Sequence, residues 1–210
     1  TNNFAVEFVS ATAGVVEGIA TATVTVSNQV VNLSQTVEVT TNNANGNSGA
    51  AVKTFVDASI AIAESATNPV GLAHTFTITV TAFPAGATPV SFATPTVSFV
   101  GSAPGTVGPV TLVSVVGNVA TYSITINNSS AGSFTINAAG AVTMGTEIIT
   151  RDTDESTAAP AGPGGSGSAT KTFVDARISI TPSATNPVGA PHTFTVTVQQ
   201  DDGLTAEQGG

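Results

Sequence analysis

The chain has 210 residues, only 8% of them charged, a formal net charge of −9, and neither cysteine nor tryptophan. Its four basic residues, Lys53, Arg151, Lys171 and Arg177, are too few and too scattered for a phosphate-binding surface, which argues against nucleic acid as a partner. No run of 18 apolar residues is present, so no helical membrane span is expected, while an apolar content of 41% suffices for a core.

Thr and Val are abundant, both β-branched and suited to pleated, half-buried surfaces. No helical stripe interrupts the pattern, and the chain reads as all-β. Residues 4–9 (FAVEFV) alternate as a strand. Residues 19–26 do so more clearly, with Ala20, Ala22, Val24 and Val26 on one face and threonines on the other. Residues 36–40 give a third strand, and NNANGNSG at 42–49 is turn chemistry. Residues 59–63 are predicted to turn Ile60 and Ile62 inward. SATNPVG at 65–71 is a connection, because Pro69 cannot donate to a ladder. Residues 74–80 follow as a strand with Phe76, Ile78 and Val80 on its core face. Further strands are predicted at 96–100, 110–116, 119–126, 133–138 and 145–150, with Gly117-Asn118 as a tight hairpin turn. Short strands at this spacing are the pattern of an immunoglobulin-like sandwich. DTDESTAAPAGPGGSGSA at 152–169 reads as a linker or surface loop, and strands return at 178–180 and 192–198.

Part of this series occurs twice. KTFVDASIAIAESATNPVGLAHTFTITV at 53–80 and KTFVDARISITPSATNPVGAPHTFTVTV at 171–198 agree at 21 of 28 positions, 118 residues apart. Residues 19–26 also match 119–126 at an offset of 100, and 6–10 match 97–101 at an offset of 91. The expected organisation is one complete domain between two complementary half-domains. Residues 1–50 are the back half of a repeat, 51–151 a complete domain, 152–170 a linker, and 171–210 the front half of a repeat. Under these offsets residues 1 and 210 both map onto position 92. The strands left to complete one another carry Phe4, Phe8, Val24, Val26, Val37 and Val39 in the first half, and Ile178, Ile180, Phe194, Val196 and Val198 in the second.

KTFVDA leading into ISITPSATNPVG and PHTFTVTV resembles the bacterial immunoglobulin-like repeats of large surface and secreted proteins, over nearly the whole chain. The resemblance implies immunoglobulin-like β-sandwich repeats, an extracellular or cell-surface location, and a role as adhesin, stalk, filament or surface layer. It brings no catalytic motif.

Sites are sparse. His74 and His192 occupy one repeat position and have no other His or Cys to join them around a metal. Asp152, Asp154 and Glu155 (RDTDES) place oxygen ligands at alternating spacing, a candidate for calcium whose plainer reading is a solvated acidic loop. GSGSATKT at 165–172 lacks the Gly before Lys of a phosphate-binding loop. Lys53 and Lys171 open the repeat at a domain boundary, where exposure is expected. No acid pair or triad is evident, so the chain is read as non-enzymatic and without cofactor. The leading expectation is a structural subunit of an extracellular bacterial filament, its partners being copies of itself joined head to tail through half-domain complementation. The alternatives are an adhesin or carbohydrate-binding module with a surface glycan or cell-surface ligand, and a two-repeat segment of a longer array.

Overall fold

The alternation of apolar with Thr or Ser residues is realised as strands throughout. The computed structural model describes residues 2–28, 30–84, 86, 91–101, 105–203 and 208–209, and all regular structure among them is β. The chain divides into two units, Thr1–Asp57 and Ala58–Gly210.

The first unit holds β1 (Gly14–Gly18), β2 (Thr21–Asn28), β3 (Leu33–Thr40) and β4 (Ala51–Phe55). Strands β2 and β3 form an antiparallel hairpin, Thr21 opposite Thr40 and Val24 opposite Val37. The expected turn at 42–49 is present, with Asn43, Asn45 and Gly46 at positive φ. β1 pairs antiparallel with β4, Gly14 opposite Phe55 and Val16 opposite Lys53. Residues 4–9, expected as a strand, are not one. An alternating sequence supplies the face of a strand, but the ladder needs a neighbour.

The second unit begins with β5 (Asp57–Ala63), whose first residue closes the first unit. It continues with β6 (Ala66–Pro69), β7 (His74–Phe83), β8 (Ser91–Phe92), β9 (Thr96–Val100), β10 (Thr106–Val107) and β11 (Thr111–Val116). After these come β12 (Val119–Asn127), β13 (Gly132–Met144), β14 (Glu147–Asp152), β15 (Ala169–Thr181), β16 (Thr195–Asp201) and β17 (Gln208–Gly209). One sheet runs β10-β12-β7-β5, with β11 also on β12; the other is built around β13, which pairs with β14, β15, β8 and β9. The turn at Gly117 is as expected, its φ of 58° being one that a residue without Cβ adopts freely. Phe76, Ile78 and Val80 of β7 and Ala120, Tyr122, Ile124 and Ile126 of β12 are buried, as are Phe134, Ile136 and Val142 of β13. The two sheets meet in a sandwich-like core: a Cβ at Gly140 would lie 3.2 Å from Ile60 and 3.4 Å from Val80 on the facing sheet. Tyr122 donates its hydroxyl to the Ala93 carbonyl at 3.2 Å, which satisfies a phenol whose pKa burial pushes up.

Two features depart from the sequence reading. The 13-residue β15 belongs to two ladders: Ala169–Phe173 pairs with β13, and from Asp175 onward it pairs with β16. KTF therefore lies within the sheet built around β13, with β13 on one side and β6 on the other. Second, the stretch read as a Gly/Pro/Ser linker lies along β5. The Ile60 amide donates to Ala161 and the Ser166 amide to the Ile60 carbonyl. Ser166 Oγ accepts from the Ile62 amide at 2.9 Å, and Arg151 donates to the Ala58 carbonyl at 2.8 Å. Its small residues make this fit: a Cβ on Gly165 would lie 2.7 Å from the Ile60 carbonyl oxygen. Buried Thr153 anchors the loop by accepting the Ala138 amide.

Candidate functional site

Residues 14–55 and 175–198 reproduce local pieces of residues 57–173. The β1/β4 register recurs 118 residues later: Gly14 opposite Phe55 becomes Gly132 opposite Phe173, and Gly18 opposite Ala51 becomes Ile136 opposite Ala169. One offset thus carries β1, β4 and most of β2 onto β13 and the start of β15, replacing the offsets of 91 and 100. Residues 19–26 correspond to 137–144, not to 119–126, and their hairpin with β3 parallels that of β13 with β14, except that β3 falls on β14 at an offset of 112. In this register residues 4–14 (FAVEFVSATAG) fall on 122–132 (YSITINNSSAG). In the same register residues 1–50 fall on 119–168 and residues 171–210 on 53–92.

Apolar residues buried in the complete unit are exposed at the equivalent positions of the halves. Phe4, Val6 and Phe8 are exposed, whereas their counterparts Tyr122, Ile124 and Ile126 are buried. Val24 and Val26 are exposed where Val142 and Met144 are buried; Val37 is exposed and Val39 half-buried beside them. In the last hairpin Ile178, Ile180, Phe194, Val196 and Val198 are all exposed, against buried Ile60, Ile62, Phe76, Ile78 and Val80. Ile178 faces Val198 and Ile180 faces Val196, so these four form one apolar face. Exposed single apolar residues are ordinary, but contiguous strips on open strands mark a surface built for contact.

The hairpin at the C-terminal side is already shaped like its buried counterpart. His192 Nε2 lies 3.1 Å from the Pro182 carbonyl oxygen, as His74 Nε2 lies 3.0 Å from that of Glu64. Each imidazole stands edge-on to the phenyl two residues later, at 4.5 Å and 4.6 Å. The two histidines are thus turn braces.

Lys171 corrects a further expectation. It is 0% exposed, its ammonium donating to the Ala66 and Thr172 carbonyls at 3.3 and 3.1 Å and standing 4.6 Å over the Phe173 ring. Desolvation pushes its pKa below the usual lysine value. Lys53 is exposed, as expected.

The candidate calcium residues are turned to local use. Asp152 accepts the Asp154 amide at 2.7 Å. Asp154 accepts the Ser156 hydroxyl and amide at 2.6 and 3.0 Å, bonds that hold its carboxyl below the ordinary range. Asn137 donates to its other oxygen at 3.3 Å, and Glu155 is exposed. Among the described residues no group of three or more His, Asp or Glu is arranged to hold a metal ion. Nor is any helix there long and apolar enough to cross a membrane.

No protein-family model, curated protein or solved structure matches the chain.

Proposed function

We propose that the chain is a non-enzymatic structural subunit of an extracellular filament, built from immunoglobulin-like repeats and joined head to tail. The 175–201 hairpin of one copy packs against the face left open by residues 2–55 of the next. One observation carries this reading: at a constant offset of 118, residues exposed in the two halves are core residues in the complete unit. Each fully buried Phe, Ile or Val contributes about 1.5–3 kcal/mol relative to exposure, so the two strips together favour contact strongly.

The complete unit supplies the template for the seam. There β7 and β12 are antiparallel, with Phe76 opposite Ile124 and Ile78 opposite Tyr122. Translated by 118, Phe194 stands opposite Val6 and Val196 opposite Phe4. Residues 4–8 then acquire the ladder partner they lack, with main-chain bonds giving affinity and alternating side chains giving register. Such a contact joins different surfaces of two copies, so it propagates as an open fibre when the rotation between copies does not close a ring.

A second reading rests on β15, which passes from one ladder into the next without a linker. In a chain of covalently linked repeats, flanking repeats of the same polypeptide would cover these faces. Light scattering across concentration, with electron microscopy, separates the two. Linear polymers whose length grows with concentration are expected. A monodisperse monomer at millimolar concentration would overturn the filament reading.

A further inference from the structure

We infer that residues 184–187 of one copy form a parallel strand against β4 of the next and seal Lys53 at the junction, so that joining desolvates this lysine. The inference rests on the filament reading and specifies its contact.

The complete unit shows the closed form. Ala66–Pro69 lies parallel to β15, with Ala66 beside Lys171 and Thr67 beside Thr172. The Ala66 carbonyl accepts from the Lys171 ammonium, which is thereby shut away from water. The first unit shows the open form. Lys53 holds the equivalent place on β4, opposite Val16 where Lys171 is opposite Phe134. It lines an open groove with Val6, Phe8, Ala51 and Phe55, and its ammonium stands 5.9 Å from the Phe55 ring centre.

The occupant is on the same chain's surface. Residues 183–189 repeat the SATNPVG of 65–71 without a change. Their local bracing is also repeated: Asn186 donates to the Pro191 carbonyl at 2.9 Å, as Asn68 does to that of Ala73 at 3.5 Å. Yet 66–69 is a strand and 184–187 is not. The difference is the neighbour, because a strand of this length exists only on a ladder. Set on β4 in the template register, Ala184 offers its carbonyl to Lys53, and Thr185 lies beside Thr54.

The test uses lysine acylation of the unmodified chain, read by mass spectrometry in the monomer and in the polymer. Lys53 is expected to react at least about tenfold more slowly in the polymer, whereas Lys171 stays protected in both until the chain unfolds. Because the chain has no cysteine, a Thr54→Cys/Thr185→Cys variant reports the register directly. Oxidation should give a ladder of covalent oligomers, and a one-residue shift to Ala184→Cys with Thr54→Cys should not. Polymers in which Lys53 reacts as in the monomer, or which fail to crosslink between 54 and 185, overturn the inference and leave the filament reading standing. Absence of polymers under all conditions removes both.

Discussion

Phe76 and Phe194 share one local setting at two stages of burial. Each ring stands edge-on to the histidine two residues before it, yet Phe76 is 0% and Phe194 58% exposed. What separates them is the neighbouring strand: Phe76 lies on a strand between β5 and β12, and Phe194 on one that lacks the β12 partner.

The same substitution at these two positions should therefore have opposite readouts. Phe76→Ala is expected to destabilise the central unit by about 3–5 kcal/mol in urea unfolding, the usual result of emptying a core site. Phe194→Ala should change monomer stability by no more than about 0.5 kcal/mol. It should weaken self-association by roughly 100-fold or more, as seen by light scattering. Equal effects of both substitutions on monomer stability would contradict the assignment of Phe194 to an unfilled face.

Lys171 and Tyr122 set the alkaline limb of stability. Burial lowers the lysine pKa in the folded state, so between that lowered value and the usual 10.5 the unfolded chain holds more protons. Stability rises with pH across that window as the cost of burying charge is relieved. Burial raises the Tyr122 pKa above 10.0, so above that pH the folded chain holds the extra proton and stability falls. Chemical denaturation across the alkaline range should show a rising contribution that Lys171→Met alone abolishes.

The glycines of the loop on β5 should resist substitution. Gly162 has a φ of +79° and no room for a Cβ against the Ala58 carbonyl oxygen. Gly162→Ala is expected to cost about 2 kcal/mol or more through backbone strain and displacement of the loop. The urea midpoint should drop with little change in slope. A neutral outcome would mean that the loop does not hold β5.

Calcium should leave the melting temperature of the monomer unchanged, because Asp152 and Asp154 already cap their own backbone. Asp154→Ala should lower stability slightly at neutral pH. The contribution it removes is present above the normal carboxylate pKa and is lost as pH falls through the lowered one. A calcium-dependent rise in melting temperature would refute this use of the acidic loop.

Period-two alternation was enough to place β2, β5, β7, β9 and β12 and to orient Ile60, Phe76, Ile78 and Val80, because side-chain direction is local. Pairing is not local. Residues 4–9 alternate as well as β2 does and still form no strand, and ATNP is a strand at 66–69 but not at 184–187. The loop at 153–168 has the small, flexible composition of a linker, yet the same small residues let backbone approach β5. The burial of Lys171 is not legible in the sequence, because a cation normally signals a wet position. Only the Ala66 and Thr172 carbonyls and the Phe173 ring make its burial tolerable. The single offset of 118 was visible in residues 4–14 only as alternation, and it took the β1/β4 register to fix it.

The double membership of β15 has a mechanical consequence. Tension transmitted along one uninterrupted strand acts parallel to two successive ladders, so their hydrogen bonds are loaded in shear and share the force. A fibre of the proposed kind would contain no slack segment across β15 to stretch first. Its extensibility would be set by rupture of whole strand pairs, giving stiff behaviour up to an abrupt yield.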